Sequence, residues 1–181
     1  MWIAGALVVG GPTACAQLQL LSQTKRIESQ WVGAPSPEIT FKTLAGENVR
    51  ISELRGKRVL LNFWAPWCLP CRVEMPMIDA LLRNHDNDGV AVFGISFDGE
   101  TAIRRFAEDQ EIGFPLASVR DGSLPAPYDV VPALPASFVL DADGTIELVH
   151  FGYMTEASMK RALWGPAGPK QHPENHAQRR R

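Results

Sequence analysis

Two cysteines three positions apart, Cys68 and Cys71, stand where an apolar run gives way to a helical pattern, and this junction constrains the chain more than any other stretch. Val59 to Trp64 is a short apolar run of buried-strand type. From Cys68 onward, Val73, Met77, Ile78, Leu81 and Leu82 recur at roughly helical spacing. Cys68 therefore falls at a helix N-terminus, where unpaired backbone N–H groups and the positive end of the macrodipole favour an anion. Its thiol should lose a proton more readily than that of a free cysteine. Cys71, one turn further in, lies beneath it, near enough to close a disulfide and less open to solvent. The pair reads as a redox switch, with Cys68 the attacking thiolate and Cys71 the resolving partner.

Composition narrows the alternatives. Net charge is −2 over 181 residues, so no general basic field invites nucleic acid; the one strongly basic run is Arg179-Arg180-Arg181. There are three cysteines, the third being Cys15. One pair cannot make a disulfide framework, and no second CxxC or CxxH completes a zinc site. With 45% hydrophobic residues, one domain with extensions at its ends is expected.

Residues 1–24 carry no charged side chain, and Trp2 to Val9 is an apolar core broken by Gly10-Gly11-Pro12. Residues 1–16 read as a secretory leader, cleaved after Ala14-Cys15-Ala16, or as a lipoprotein leader with Cys15 lipidated. The apolar run is too short for a membrane span, which needs about 20 residues. Residues 17–33 read as a linker running into the turn-rich Ala34-Pro35-Ser36-Pro37, and the domain is expected over 34–164. Residues 165–181, rich in Gly, Pro, His and Arg, have little to bury and are expected to be disordered.

Within the domain, Ile39 and Phe41 alternate with polar residues and face Val49 and Ile51 across Ala45-Gly46-Glu47-Asn48, the pattern of a hairpin. Ser52 is a candidate cap for a short helix to Arg55, ended by Gly56. Strands follow at 58–65, 90–97 and 114–119, with helices at 68–84, kinked at Pro76, and at 101–110. Strands 137–140 and 146–151 form a second hairpin across Asp141-Ala142-Asp143-Gly144, and Thr155 caps a closing helix to Leu163. This order implies an α/β fold, a mixed sheet covered on both faces.

The stretch from Ala34 to Leu163 resembles the thioredoxin superfamily, and within it the exported TlpA/ResA/CcmG-like thiol-disulfide reductases of redoxin (AhpC/TSA) type. Asn62-Phe63-Trp64-Ala65-Pro66-Trp67-Cys68-Leu69-Pro70-Cys71 matches the F-W-A-x-W-C-x-P-C signature, and Pro76 matches the kink proline of the active-site helix. Pro135, ahead of Ala136 to Asp141, matches the proline that follows a cis peptide bond; Pro132 is its rival, because the approach from Tyr128 is one residue longer than usual. The resemblance implies a thioredoxin-like fold with an N-terminal β-hairpin and an inserted helix–strand unit. Glu74 falls three residues after Cys71, where this branch carries a carboxylate near the cysteines; Asn62 replaces the buried aspartate of thioredoxin. If acid–base help is needed, Glu74 is the candidate.

The implied activity is reduction of protein disulfides outside the cytoplasm by a monomer without cofactor or metal. Clients would be the haem-binding cysteines of apocytochrome c or copper-site cysteines, and electrons would come from a membrane thiol reductase of the DsbD/CcdA kind. Leu69 and Pro70 leave no histidine between the cysteines to stabilise the thiolate strongly, which leans toward reductase over oxidase or isomerase. Trp67, Leu69 and Pro70 offer an apolar rim, and Leu134 with Pro135 a backbone edge, for a partner peptide. A peroxiredoxin-type peroxidase would need a T-x-x-C site that this chain lacks, and a copper carrier of related fold a CxxxC with a distant histidine. Duller readings stand beside these: Trp64 and Trp67 as packing residues, Glu74 as a complement to the helix dipole, His85 and His150 as surface residues.

Overall fold

Seven consecutive residues, Arg58–Trp64, form the central strand of the sheet, β3, and every one after Arg58 is buried. Two short strands precede it, β1 (Thr40–Lys42) and β2 (Asn48–Arg50), paired antiparallel with Phe41 opposite Val49. After β3 come α1 (Leu69–Asn84), β4 (Val90–Ser96), α2 (Glu100–Asp109), β5 (Leu116–Ser118), β6 (Ala136–Leu140), β7 (Ile146–Phe151) and α3 (Glu156–Trp164). The computed structural model describes residues 25–165 other than 27, 88, 121–123 and 130. The leader with Cys15 and the tail beyond 165, read from the sequence, lie outside the described residues.

The large sheet has the order β5-β4-β3-β6-β7, with β3, β4 and β5 parallel and β6 and β7 antiparallel. Side chains alternate across β3, and its two faces feed two cores. Leu60 and Trp64 join Met75 and Ile78 of α1, Ile103 and Phe106 of α2, and Met159 and Leu163 of α3. Val59, Leu61 and Phe63 join Ile39, Phe41, Ile51 and Tyr128 in the second core, closed by the hairpin and the loop ahead of β6. Fully burying side chains of this size stabilises by about 1.5–3 kcal/mol each, which is what sets the register of β3.

Two local expectations change. Ser52 caps nothing: the short helix is a 3-10 turn, Ile51–Leu54, which begins one residue earlier with Arg50 at its N-cap and no side-chain cap bond. Burial of Ile51 fixes that start, so the serine falls inside the turn. Residues 28–31, read as linker, are helical, and the chain after them runs along β7. There Gly33 N donates to Ile146 O at 2.8 Å and Ser36 N to Gly144 O at 2.9 Å, while Trp31 packs on the second core. The cis X-Pro bonds among the described residues are Ala126–Pro127 and Leu134–Pro135, so the bond before Pro135 is cis and that before Pro132 is not.

Candidate active site

The β3–α1 junction places both cysteines. Cys68 is the N-cap of α1, with extended backbone, and its Sγ accepts a hydrogen bond from Cys71 N at 3.3 Å. Pro70 is accommodated because first-turn N–H groups have no intrahelical acceptor to lose. Pro76 sits inside the helix. Cys68 and Cys71 are joined in a disulfide with Cα atoms 5.2 Å apart. Cys71 is fully buried and Cys68 is 5% exposed, so of the two cysteines Cys68 is the one that retains exposed surface. Both belong to the core cluster that contains Trp64, Met75 and Leu81.

Glu74 lies one turn below Cys71 on the buried face of α1 and has no exposed surface. Its Oε1 accepts from the backbone N of Met154 at 2.6 Å and its Oε2 from Asn62 Nδ2 at 3.0 Å. The same Nδ2 donates to Ser137 Oγ at 3.1 Å, and Asn62 and Ser137 are direct partners in the β3–β6 ladder. Burial raises the proton affinity of Glu74 above the ordinary carboxylate value, and the hydrogen bonds from Met154 and Asn62 and the nearby His150 pull against that. A carboxylate raised in this way holds a proton to higher pH than an exposed one, the direction that suits exchange with a thiol.

Around the disulfide the surface is apolar. Trp67 is 71% exposed, Leu69 76% and Val73 61%; Pro70 is also exposed, whereas Trp64 is wholly buried. Leu69, Val73 and Met77 recur every four residues along α1, and Tyr153 Oη meets Met77 Sδ at 3.9 Å. Arg72 folds back so that Nη1 donates to Pro66 O at 3.1 Å, with its guanidinium 5.5 Å from the centre of the Phe106 ring. On the other side, Pro135 is buried at the head of β6, and its carbonyl accepts from Gly152 N at 2.7 Å. Leu134 is partly buried against both cores. Among the described residues no cluster of His, Cys, Asp or Glu could hold a metal ion.

The sequence singles out Cys68, Cys71, Glu74 and the rim, which the structure brings together around α1, and it does not single out Ser137, the Met154 amide or the exposed Val73 and Tyr153. A serine inside Ala136 to Leu140 and an asparagine inside Val59 to Trp64 were the available signal: two polar residues in strands otherwise apolar.

The AhpC/TSA family model matches residues 32–149. The chain belongs to the AhpC/TSA family. Its relatives there include thioredoxin-like protein YneN of Bacillus subtilis (strain 168), 36% identical over 168 residues, or 90% of this chain and 96% of YneN. The thiol-disulfide oxidoreductase ResA of Geobacillus kaustophilus (strain HTA426) is 33% identical over 133 residues, covering 73% of this chain and 76% of ResA. Among solved structures, StoA of Bacillus subtilis superposes with a TM-score of 0.61 at 27% identity, over 71% of this chain and 97% of StoA. A secreted Mycobacterium tuberculosis disulfide oxidoreductase homologous to E. coli DsbE gives 0.59 at 29% identity, over 69% and 93%. The fold of this AhpC/TSA member is thioredoxin-like, and the protein is a thiol-disulfide oxidoreductase.

Proposed function

We propose that the chain reduces disulfides of exported proteins, working as a monomer outside the cytoplasm, to which residues 1–16 direct it as a cleaved leader or through lipidated Cys15. Clients are the haem-binding cysteines of an apocytochrome c or the cysteines of a copper site, and a membrane thiol reductase of the DsbD/CcdA kind returns the electrons. The observation that carries this reading is the Cys68–Cys71 disulfide itself, closed across the N-cap and first turn of a 16-residue helix with only Leu69 and Pro70 between its sulfurs. The helix end favours the Cys68 thiolate. No charged or imidazole side chain lies between the cysteines to stabilise it further, which keeps the disulfide from being strongly oxidising.

In the reaction, the Cys68 thiolate attacks one sulfur of the client disulfide, and the other client sulfur leaves as a thiolate. Cys71 then passes its proton to the Glu74 carboxylate and attacks Cys68 Sγ. The second client sulfur departs, the Cys68–Cys71 disulfide forms, and two electrons have moved to the client. Trp67, Leu69 and Pro70 take the apolar side chains that flank the client cysteine. Leu134 pairs with its backbone beside Pro135, which has no N–H to compete.

The deciding experiment is the reduction potential of the Cys68–Cys71 couple, equilibrated against dithiothreitol or glutathione buffers. A value near or below thioredoxin's, about −270 mV, is expected. One near DsbA's, about −120 mV, overturns the reductase reading and makes the same site an oxidase.

A further inference from the structure

Asn62 is fully buried, and its two amide atoms are used unequally. Nδ2 donates both to Glu74 Oε2, at 3.0 Å, and to Ser137 Oγ, at 3.1 Å. Oδ1 is buried and has no hydrogen-bond partner among the described residues. A buried acceptor left idle costs about 1–3 kcal/mol, so an asparagine here needs a reason that an apolar residue on the same strand would not. Ser137 holds the amide from across the sheet, because the two residues are paired in the β3–β6 register. Glu74 is thereby fixed from two directions, by Met154 N from the loop ahead of α3 and by Asn62 from the middle of β3.

We propose that Asn62 is a positioning residue for Glu74, an amide that turns over as the carboxyl group gains or loses its proton. With Glu74 ionised, Nδ2 donates to the carboxylate. When Glu74 holds a proton, rotation of the amide brings the idle Oδ1 round to accept the new O–H, and the Ser137 hydroxyl donates to it as well. The bonds to Glu74 and Ser137 are kept in number in both states; only the leftover atom changes from Oδ1 to Nδ2. A carboxylate at this position would place like charge beside Glu74, and an aliphatic residue would leave Oε2 without a donor. The inference rests on the reading that Glu74 takes the Cys71 proton. Among the described residues His150 on β7 acts on Glu74 through charge, with Glu28 Oε1 3.9 Å from the His150 Nδ1, and Cys71 lies one turn before Glu74 on α1.

The test is a carbon-13 NMR titration of the Glu74 carboxyl carbon in the oxidised protein, where neither cysteine titrates. The side-chain amide protons of Asn62 are followed in parallel, and thiol–disulfide exchange is measured across pH. In wild type the Asn62 amide resonances move with the Glu74 midpoint. In Asn62→Leu that midpoint moves up, because the ionised carboxylate loses a donor while the neutral acid loses only an acceptor; the pH–rate profile shifts with it, and exchange at neutral pH falls by about tenfold, part of the 10²–10⁴ of a positioned acid or base. The Asn62 amide resonances of the wild-type protein carry the test alone if Asn62→Leu does not fold. A Glu74 midpoint unmoved in Asn62→Leu, or wild-type Asn62 amide protons indifferent to it, overturns the inference. A midpoint that moves while the pH–rate profile stays put supports it and overturns the assignment of Glu74 as the proton acceptor.

Discussion

Glu74 Oε1 accepts a hydrogen bond from the backbone N of Met154 at 2.6 Å, which ties the redox helix to the loop that enters α3. The acceptor is a side chain that could titrate, so the tie carries a pH dependence. Burial raises the Glu74 proton affinity above that of the unfolded chain. The folded state therefore holds this proton more tightly, and the associated stability, complete below the unfolded value, is lost as pH rises through the folded one. Glu74→Gln keeps an acceptor for Met154 N and removes the charge. In urea denaturation of the oxidised protein, the variant is expected to lose this component of the pH dependence and to exceed wild type on the alkaline side. Exchange should slow by about 10²-fold or more if Glu74 takes the Cys71 proton. Equal slopes of stability against pH in the two proteins would sink the linkage.

Gly94 of β4 lies where the sheet, α1 and β5 converge. A Cβ there would stand 2.5 Å from Leu116 Cδ2, 3.0 Å from Trp64 Nε1 and 3.1 Å from Met75 Cε. All three side chains are buried at 5% exposure or less, so none can swing clear into solvent. Gly94→Ala should cost about 1–3 kcal/mol through overpacking. Thermal melts should show this as a fall of roughly 2–4 °C per kcal/mol, with the midpoint read on the disulfide form. An unchanged melting temperature would mean that β5 yields more easily than its packing suggests.

Tyr128 fills the second core with its hydroxyl 2.7 Å from Ser36 Oγ. Burial pushes its phenol up to about 12, and the Ser36 bond pulls slightly the other way. The unfolded chain ionises at about 10. Stability present below that pH is thus lost as pH climbs toward the folded value. Tyr128→Phe should cost about 1 kcal/mol at neutral pH, where the hydrogen bond is lost. It should also resist alkaline unfolding better than its neutral stability implies, because no phenol remains to ionise. Circular dichroism against pH checks both signs.

What the sequence discloses is what neighbours in the chain decide. The Cys68 N-cap, the helix to Asn84, the turn at Asp141 to Gly144 and the Thr155 cap of α3 are local, and the elements lie within one or two residues of expectation. The carboxylate network is not local. Asn62 meets Ser137 only because β3 and β6 pair in one register, and Glu74 meets Met154 only once α3 has returned beside α1. For the same reason residues 28–36 look like a linker: their Gly, Pro and Ser signal turns truthfully, but the partners that fix them, Gly144 and Ile146, lie far along the chain. Ser52 misled in the opposite way, as a good cap residue overruled by burial of Ile51.

The apolar rim makes a distinction between clients that can be measured. Trp67, just ahead of α1, and Val73, one turn after Leu69 on it, are more than half exposed, and neither belongs to a core cluster. On the proposed reading a protein client covers this rim, whereas a small aromatic disulfide needs only the Cys68 sulfur. Aromatic anchors at interfaces commonly account for more than 1 kcal/mol. Trp67→Ala and Val73→Ser should therefore lower kcat/KM for a protein disulfide by about tenfold and by a lesser factor respectively, mostly through KM, with little change for the small disulfide. The melting temperature should stay near wild type for both. Equal losses on the two substrates would point instead to disturbed chemistry at Cys68, and the rim would cease to be a docking surface.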